Sequence, residues 1–162
     1  MNNGVLRMYS RNIAKYISYC DSTDDGKTWG EYTIDKALKY CSNCMFSVIN
    51  YSQEIDGKKA IVISYPSLKI LKGGVIKIGL YGEDNKVDWK YRKNVTDSLL
   101  PFSFVYSCIT EDAQGNILDL YESDKAEISL KKYSIDELKT HDKVKLTLPQ
   151  RLTSKYMNTF KK

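Results

Sequence analysis

Glycine-containing turns precede hydrophobic segments at nearly regular intervals along this chain of 162 residues. Gly4, Gly57 and Gly115 each stand just before such a segment, at intervals of 53 and 58 residues. Two tryptophans, Trp29 and Trp89, lie 60 residues apart at corresponding places in the first two units. Long repeats that each hold several strands are typical of β-propeller blades. The spacing therefore favours an array of small sheets, and a β-sandwich with irregularly spaced hairpins is the alternative.

The segments between these turns are predicted to be strands, because they are short, rich in β-branched and aromatic residues, and bounded by turn residues. Clear examples are residues 5–9, 60–64, 75–80 and 117–121. Helical periodicity is weak, and a turn or two of helix is expected at residues 34–40 and 134–140. The second of these has Ser134 at the N-cap and Glu137 at the capping-box position.

These patterns predict an all-β fold, a partial six-bladed β-propeller of about three blades, each a four-stranded antiparallel sheet. The whole chain would form a single partial propeller domain, with blades at approximately residues 1–50, 51–105 and 106–162. A propeller hides its blade faces by closing the ring, so half a ring leaves two faces open. We therefore expect the chain to associate with itself or with the other half of a propeller.

One motif points to a known family. The residues that define it are spaced as S-x-D-x-G-x-T-W and are Ser22, Asp24, Gly26, Thr28 and Trp29. This motif resembles the Asp box, the repeated hairpin turn of the sialidase (neuraminidase) family and of some other glycan-processing propellers. Its chemistry is structural, because an aspartate can accept hydrogen bonds from turn amides and a glycine can adopt a positive φ. A degraded second copy lies at residues 83–89.

The resemblance to sialidases covers roughly residues 2–135 and implies roles for three side chains. Arg11 follows a strand that is similar to the one ending in an arginine of the three-arginine cluster that grips the carboxylate of sialic acid. Tyr106 lies in a segment that looks like the one carrying the nucleophilic tyrosine, and Glu122 matches the carboxylate that orients a cluster arginine. A neutral tyrosine suits this substrate, because it brings no second anion against the sugar's own carboxylate.

The pattern departs from the family at one binding position and upstream of Arg11. Where sialidases carry another cluster arginine, this chain has Lys69 and Lys72, of which Lys72 is the nearer match. Lysine keeps the charge but loses the bidentate fork, so carboxylate binding should weaken. By resemblance, the glutamate that activates the tyrosine, the acid/base aspartate and another cluster arginine belong before Met1. We therefore expect this chain alone to be inactive.

Composition and cysteine spacing argue against several other classes of function. The net charge of +5 comes from 25 basic and 20 acidic residues that are spread along the chain, which disfavours nucleic-acid binding. No apolar run is long enough for a membrane span, and Met1 to Gly4 show no signal peptide. Cys41 and Cys44 form an isolated CxxC that lacks two further local ligands, so no metal site is predicted. The resemblance implies no cofactor, and a complete relative is expected to be secreted or at the cell surface.

These observations lead to a functional prediction with an alternative. The chain is expected to be the C-terminal portion of an exo-α-sialidase catalytic domain, whose partners are sialylated glycans. The complete enzyme would be a retaining glycoside hydrolase that removes terminal sialic acid from glycoconjugates. The alternative is a non-catalytic glycan-binding or interaction module, derived from a decayed or split sialidase propeller.

Overall fold

The structure is a computed structural model that describes residues 4–13, 15–39, 45–68, 72–96, 102–123 and 127–140. Its described part contains three antiparallel sheets and one short helix, which confirms the all-β prediction. The strands are β1 (Leu6–Arg11), β2 (Tyr16–Ser22), β3 (Thr33–Lys39), β4 (Ser47–Ile55), β5 (Lys58–Leu68), β6 (Lys72–Tyr81), β7 (Val87–Asn94), β8 (Val105–Glu111), β9 (Ile117–Glu122) and β10 (Ile128–Tyr133), and the helix is α1 (Ile135–Lys139). No helix in these ranges is long and apolar enough to cross a membrane.

Each sheet is built from strands that follow one another in the chain. The first sheet has the order β1-β2-β3, the middle sheet β4-β5-β6-β7 and the third sheet β10-β9-β8. Consecutive strands pair because tight turns connect them, as at Asp56 and Gly57, which both have positive φ. The middle sheet has the four strands that were predicted for a blade, whereas three strands are described in each of the other two sheets.

The middle sheet lies between the other two and is buried on both faces. Ile63 and Tyr65 of β5 pack with Ile17 of the first sheet, and Val62 of the same strand packs with Ile109 of the third sheet. Alternate residues of a strand point to opposite faces, so a strand covered on both sides needs apolar residues at nearly every position. This explains the continuous hydrophobic run that the sequence shows at residues 60–63.

The helix prediction at residues 134–140 is confirmed, and the one at residues 34–40 is wrong. Ser134 Oγ accepts a hydrogen bond from the Glu137 amide, and the Glu137 carboxylate accepts one from the Ser134 amide, so the capping box is complete. Residues 33–39 instead form β3, which pairs with β2 and buries Leu38 in the core between the first two sheets. Pairing with an adjacent strand outweighed a weak local preference for helix.

Candidate functional site

Tyr106 lies in a bulge at the beginning of β8. Val105 is paired with Glu122 and Cys108 with Leu120, so β8 has two residues, Tyr106 and Ser107, where β9 has one. Tyr106 has a φ of +47°, in the left-handed region that costs a non-glycine residue about 1 kcal/mol. Tyr106 is 56% exposed, although Val105 and Ser107 on either side of it are buried. The bulge therefore directs a phenol outward from the end of the third sheet.

Glu122 is at the same end of the third sheet as Tyr106. It is the last residue of β9, it pairs with Val105, and its side chain is exposed. In an antiparallel pair the end of one strand lies beside the beginning of its partner. The end of β9 therefore lies beside the beginning of β8, and Tyr106 and Glu122 both belong to that edge of the sheet. The structure thus brings these two residues to one edge.

Arg11 occupies the equivalent edge of the first sheet. It is the last residue of β1, it pairs with Ile17, and its side chain is exposed. Ile17 packs in one cluster with Tyr65 and Val75, which are paired near the end of β5 and the beginning of β6. Arg11 is therefore at the edge where β5 passes into β6.

Contacts between the middle and third sheets place the beginning of β8 at that same edge. Ser107 Oγ donates a hydrogen bond to the Ser64 carbonyl over 3.1 Å, and the Gly73 amide donates one to Ser103 Oγ over 3.4 Å. Lys72 is the first residue of β6 and pairs with Leu68. The backbone positions of Arg11, Lys72, Tyr106 and Glu122 thus belong to one edge of three stacked sheets, whereas Lys69 lies outside the described residues.

The Asp box lies at the opposite edge of the first sheet. Ser22 pairs with Leu6, at the other end of β1 from Arg11. Asp24 accepts hydrogen bonds from the Thr28 amide over 2.9 Å and the Thr28 hydroxyl over 2.6 Å. These bonds, with a further one from the Ser22 hydroxyl, lower the pKa of Asp24 to about 2. Gly26 has a φ of +82°, and a Cβ there would be 3.6 Å from the Trp29 ring.

A buried polar cluster behind Tyr106 has no counterpart in the sequence predictions. Asp119 is fully buried on β9 and accepts a hydrogen bond from Ser64 Oγ over 3.0 Å. Burial is the main cause that raises the pKa of Asp119 to about 7, and the Ser64 bond and the charge of Lys131 act in the opposite direction. The sequence did contain a signal for this burial. In a strand every second residue points to the same face, and Asp119 lies between Ile117 and Tyr121 on the inward face.

Two further features concern binding. A cavity of about 210 Å³ lies beside β1, between the first and middle sheets, and its polar lining includes Arg7, Tyr9, Asn50 and Tyr81 but none of the predicted site residues. Within the described ranges, no group of three or more histidine, cysteine or carboxylate side chains could hold a metal ion. Cys20 and Cys108 are free thiols, and Cys41, Cys44 and His141 lie outside the described residues.

Comparison with known proteins finds curated relatives that are named as sialidases, although no family model matches. Anhydrosialidase from Macrobdella decora is 36% identical over 157 residues, which cover 85% of this chain and 20% of that protein. Sialidase B from Streptococcus pneumoniae is 41% identical over 78 residues, which cover 47% of this chain and 11% of that protein. The chain thus spans about a fifth or less of the length of these curated relatives.

A solved structure extends the likeness to three dimensions. The intramolecular trans-sialidase from Ruminococcus gnavus, crystallised with oseltamivir carboxylate, superposes with a TM-score of 0.73 at 36% identity. The match covers 88% of this chain and 32% of the other. Because sequence, three-sheet architecture and the Asp box agree, the predicted partial propeller is confirmed, and the chain belongs to the sialidase family, of whose members it represents a part.

Proposed function

We propose that this chain contributes part of the sialic-acid site of an exo-α-sialidase. The observation that carries the proposal is the placement of Tyr106, an exposed phenol on a bulge, at the same sheet edge as Glu122 and the end of Arg11's strand. In this proposal Arg11 binds the sugar carboxylate, Tyr106 is the nucleophile, and Glu122 orients an arginine of the binding cluster. We further propose that each of the three sheets is one blade.

Carboxylate recognition at this edge would rest on Arg11. A guanidinium offers two parallel N–H donors that match the two oxygens of a carboxylate, and such charge-assisted pairs are the stronger class of hydrogen bond. Lys72 would add positive charge without the fork. This combination would bind an anionic sugar less tightly than two arginines would.

Tyr106 would act through a covalent intermediate. Its phenolic oxygen would form a bond to the anomeric carbon as the glycosidic C–O bond breaks, with the phenol proton passing to a base and the leaving oxygen taking a proton from an acid. An oxygen nucleophile, from water or from a hydroxyl of the same sugar, would then displace the phenol with net retention. In the family's scheme the base and the acid precede the counterpart of Arg11, so we expect turnover to require that segment.

The alternative proposal is a non-catalytic module that binds sialylated glycans. Lysine in place of an arginine at position 72 favours it, because weaker grip on the carboxylate is compatible with recognition but reduces stabilisation of a transition state. Both proposals share the binding edge, and they differ in whether Tyr106 forms a bond to the sugar.

A two-part experiment tests these proposals. Cleavage of a fluorogenic sialoside is measured for the chain alone. It is also measured for the chain mixed with the part of the Macrobdella decora anhydrosialidase that precedes the region matched by this chain. Free sialic acid and its internal anhydro product are both quantified, because an anhydrosialidase and an intramolecular trans-sialidase are among the matches. We expect turnover from the mixture and its loss by at least about 1,000-fold in Tyr106→Phe.

Binding of 3′-sialyllactose, followed by NMR, separates the roles. Arg11→Lys should weaken binding roughly 10- to 100-fold, because a charged bidentate hydrogen bond is lost, whereas Tyr106→Phe should leave binding nearly unchanged. Tyr51→Phe is the matched control, since Tyr51 bonds to Gly115 at the opposite edge. Turnover that survives Tyr106→Phe would refute the nucleophile assignment, and binding without turnover in the mixture would favour the module.

A further inference from the structure

Three buried polar residues, Ser64, Ser107 and Asp119, connect the middle and third sheets behind Tyr106. Each is less than 1% exposed. The Ser64 hydroxyl donates to Asp119 Oδ2 over 3.0 Å, and the Ser107 hydroxyl donates to the Ser64 carbonyl over 3.1 Å. Ser107 is the second residue of the bulge that displays Tyr106. These two hydrogen bonds, joined through Ser64, therefore connect Asp119 to the side chain of Ser107 in the bulge.

The surroundings of Asp119 are poorly suited to a negative charge. Its Oδ1 atom is buried and has no hydrogen-bond partner among the described residues. The elements packed around it present Ser64 from β5, Ile109 from β8 and Lys131 from β10. Lys131 is the charged group of this set, and its ammonium donates a hydrogen bond to the Val95 carbonyl. A charged oxygen without a donor is costly in such an apolar layer.

We propose that Asp119, as a neutral carboxylic acid, is a positioning residue that holds the Tyr106 bulge through Ser64 and Ser107. The neutral acid keeps its bond to Ser64 without leaving a charge buried. Ionisation leaves a charged oxygen that only water entry or movement of Lys131 can relieve, and either change separates the two sheets where Ser64 meets Ser107. The catalytic meaning of this device rests on the proposed role of Tyr106, but the device itself does not.

The consequence is a pH-dependent order of the bulge. Burial raises the pKa of Asp119 to about 7, so the carboxyl is mostly neutral at pH 5.5 and mostly ionised at pH 8.5. The left-handed conformation of Tyr106 is one that a tyrosine leaves readily once its neighbours release it. The segment should therefore be held at the lower pH and loosened at the higher one.

Amide hydrogen exchange of residues 105–108, corrected for intrinsic chemical exchange, tests the proposal in the sugar-free chain. In the wild type we expect protection to be about tenfold lower at pH 8.5 than at pH 5.5, because local opening becomes easier. Asp119→Asn is neutral at both values and should show the same protection at both. Ser107→Ala removes the final bond of the path and should lower protection at both pH values. Asp88→Asn, at an exposed carboxyl on β7, is the matched control and should follow the wild type.

A carboxyl ¹³C titration of the wild type adds a measurement that requires no variant to fold. The midpoint for Asp119 should coincide with the midpoint of the exchange change at residues 105–108. The proposal would be overturned if protection of residues 105–108 in Asp119→Asn changed with pH as it does in the wild type. It would also be overturned if wild-type protection did not change across the titration of Asp119. The exchange experiment contains no sialoside, so it does not depend on the role of Tyr106 in catalysis. If exchange follows the titration of Asp119 while Tyr106→Phe retains turnover of the sialoside, the nucleophile role is rejected and the positioning role of Asp119 stands.

Discussion

Asp119 shows how a single side chain can make one interface between sheets sensitive to pH. Its neighbours on the inward face of β9, Ile117 and Tyr121, are buried apolar residues, and Asp119 replaces an apolar contact with one hydrogen bond to Ser64. A buried carboxyl of this kind favours its neutral form, so folding takes up a proton in the pH range where the unfolded chain is already ionised.

The stability of the chain should therefore decrease as the pH rises from about 4 to about 7. The pKa of Asp119 is raised from its ordinary value of 3.8 to about 7, so its contribution is fully present below pH 4 and is lost through this window. The slope should approach about 1.4 kcal/mol per pH unit. Urea unfolding at several pH values measures it, and Asp119→Asn should flatten the profile.

Carboxyls whose pKa is lowered by hydrogen bonds act in a different pH range, below about 4. The pKa of Asp24 is lowered to about 2 by bonds from Thr28 and Ser22, and its contribution is present above pH 4 and lost as the pH falls toward 2. Asp88→Asn should leave the slope between pH 4 and 7 unchanged. A wild-type profile without a downward slope in that window would contradict the assignment to Asp119.

At the scale of elements, β6 and the segment just before β8 approach each other closely. A Cβ at Gly74 would be 2.1 Å from Phe104 Cδ2, and Phe104 is fully buried and packs against Tyr121 in a tilted arrangement, with 4.7 Å between ring centroids. Phe104 is two residues before Tyr106, so this contact helps to place the segment that leads into the bulge. The absence of a side chain at Gly74 is thus a packing requirement.

Gly74→Ala should destabilise the chain by about 1–3 kcal/mol, because a packed aromatic ring and the backbone must shift to admit a methyl group. Chemical unfolding and the thermal midpoint measure the effect. Gly30→Ala is the matched control, since a Cβ there would lie 3.4 Å from the Asp21 carbonyl, close to ordinary contact, and should cost little. Equal losses in the two variants would show that the Phe104 contact does not matter.

At the scale of the whole molecule, an apolar face of the third sheet is left uncovered by the residues that the structure describes. Leu120, Ile128 and Leu130 are 42%, 74% and 62% exposed, and their register places them on one face. The middle sheet has neighbours on both faces, so the same architecture continued by one more sheet would cover these side chains. A face of this kind favours association.

We expect the isolated chain to self-associate with increasing concentration, as sedimentation velocity would measure. Leu130→Lys should shift the distribution toward the monomer without loss of far-ultraviolet circular dichroism, because it places a charge in the centre of the apolar face. Asp88→Lys, on the exposed side of β7, should not shift it. A wild-type chain that stays monomeric throughout the concentration series would show that this apolar face does not cause self-association.

The sequence by itself determined the features that depend on neighbours a few residues away. The turns at Gly57 and Gly115, the cap formed by Ser134 and Glu137, and the residues of the Asp box could be recognised because their hydrogen bonds close within short stretches of chain. The strands with a clear β composition were predicted for the same reason. The roles of Arg11, Lys72, Tyr106 and Glu122 stay predictions, because they came from resemblance and no measurement yet tests them.

The tertiary structure decided the features that depend on pairing and packing between strands. Residues 33–39 became β3 because β2 pairs with them, the Tyr106 bulge arises from the register of β8 on β9, and Asp119 is buried because β5 covers it. Each of these outcomes requires contacts between different strands, whose free energy exceeds the small differences in local propensity. That is why one sheet edge carries the candidate site, although its residues are spread over more than 100 positions of sequence.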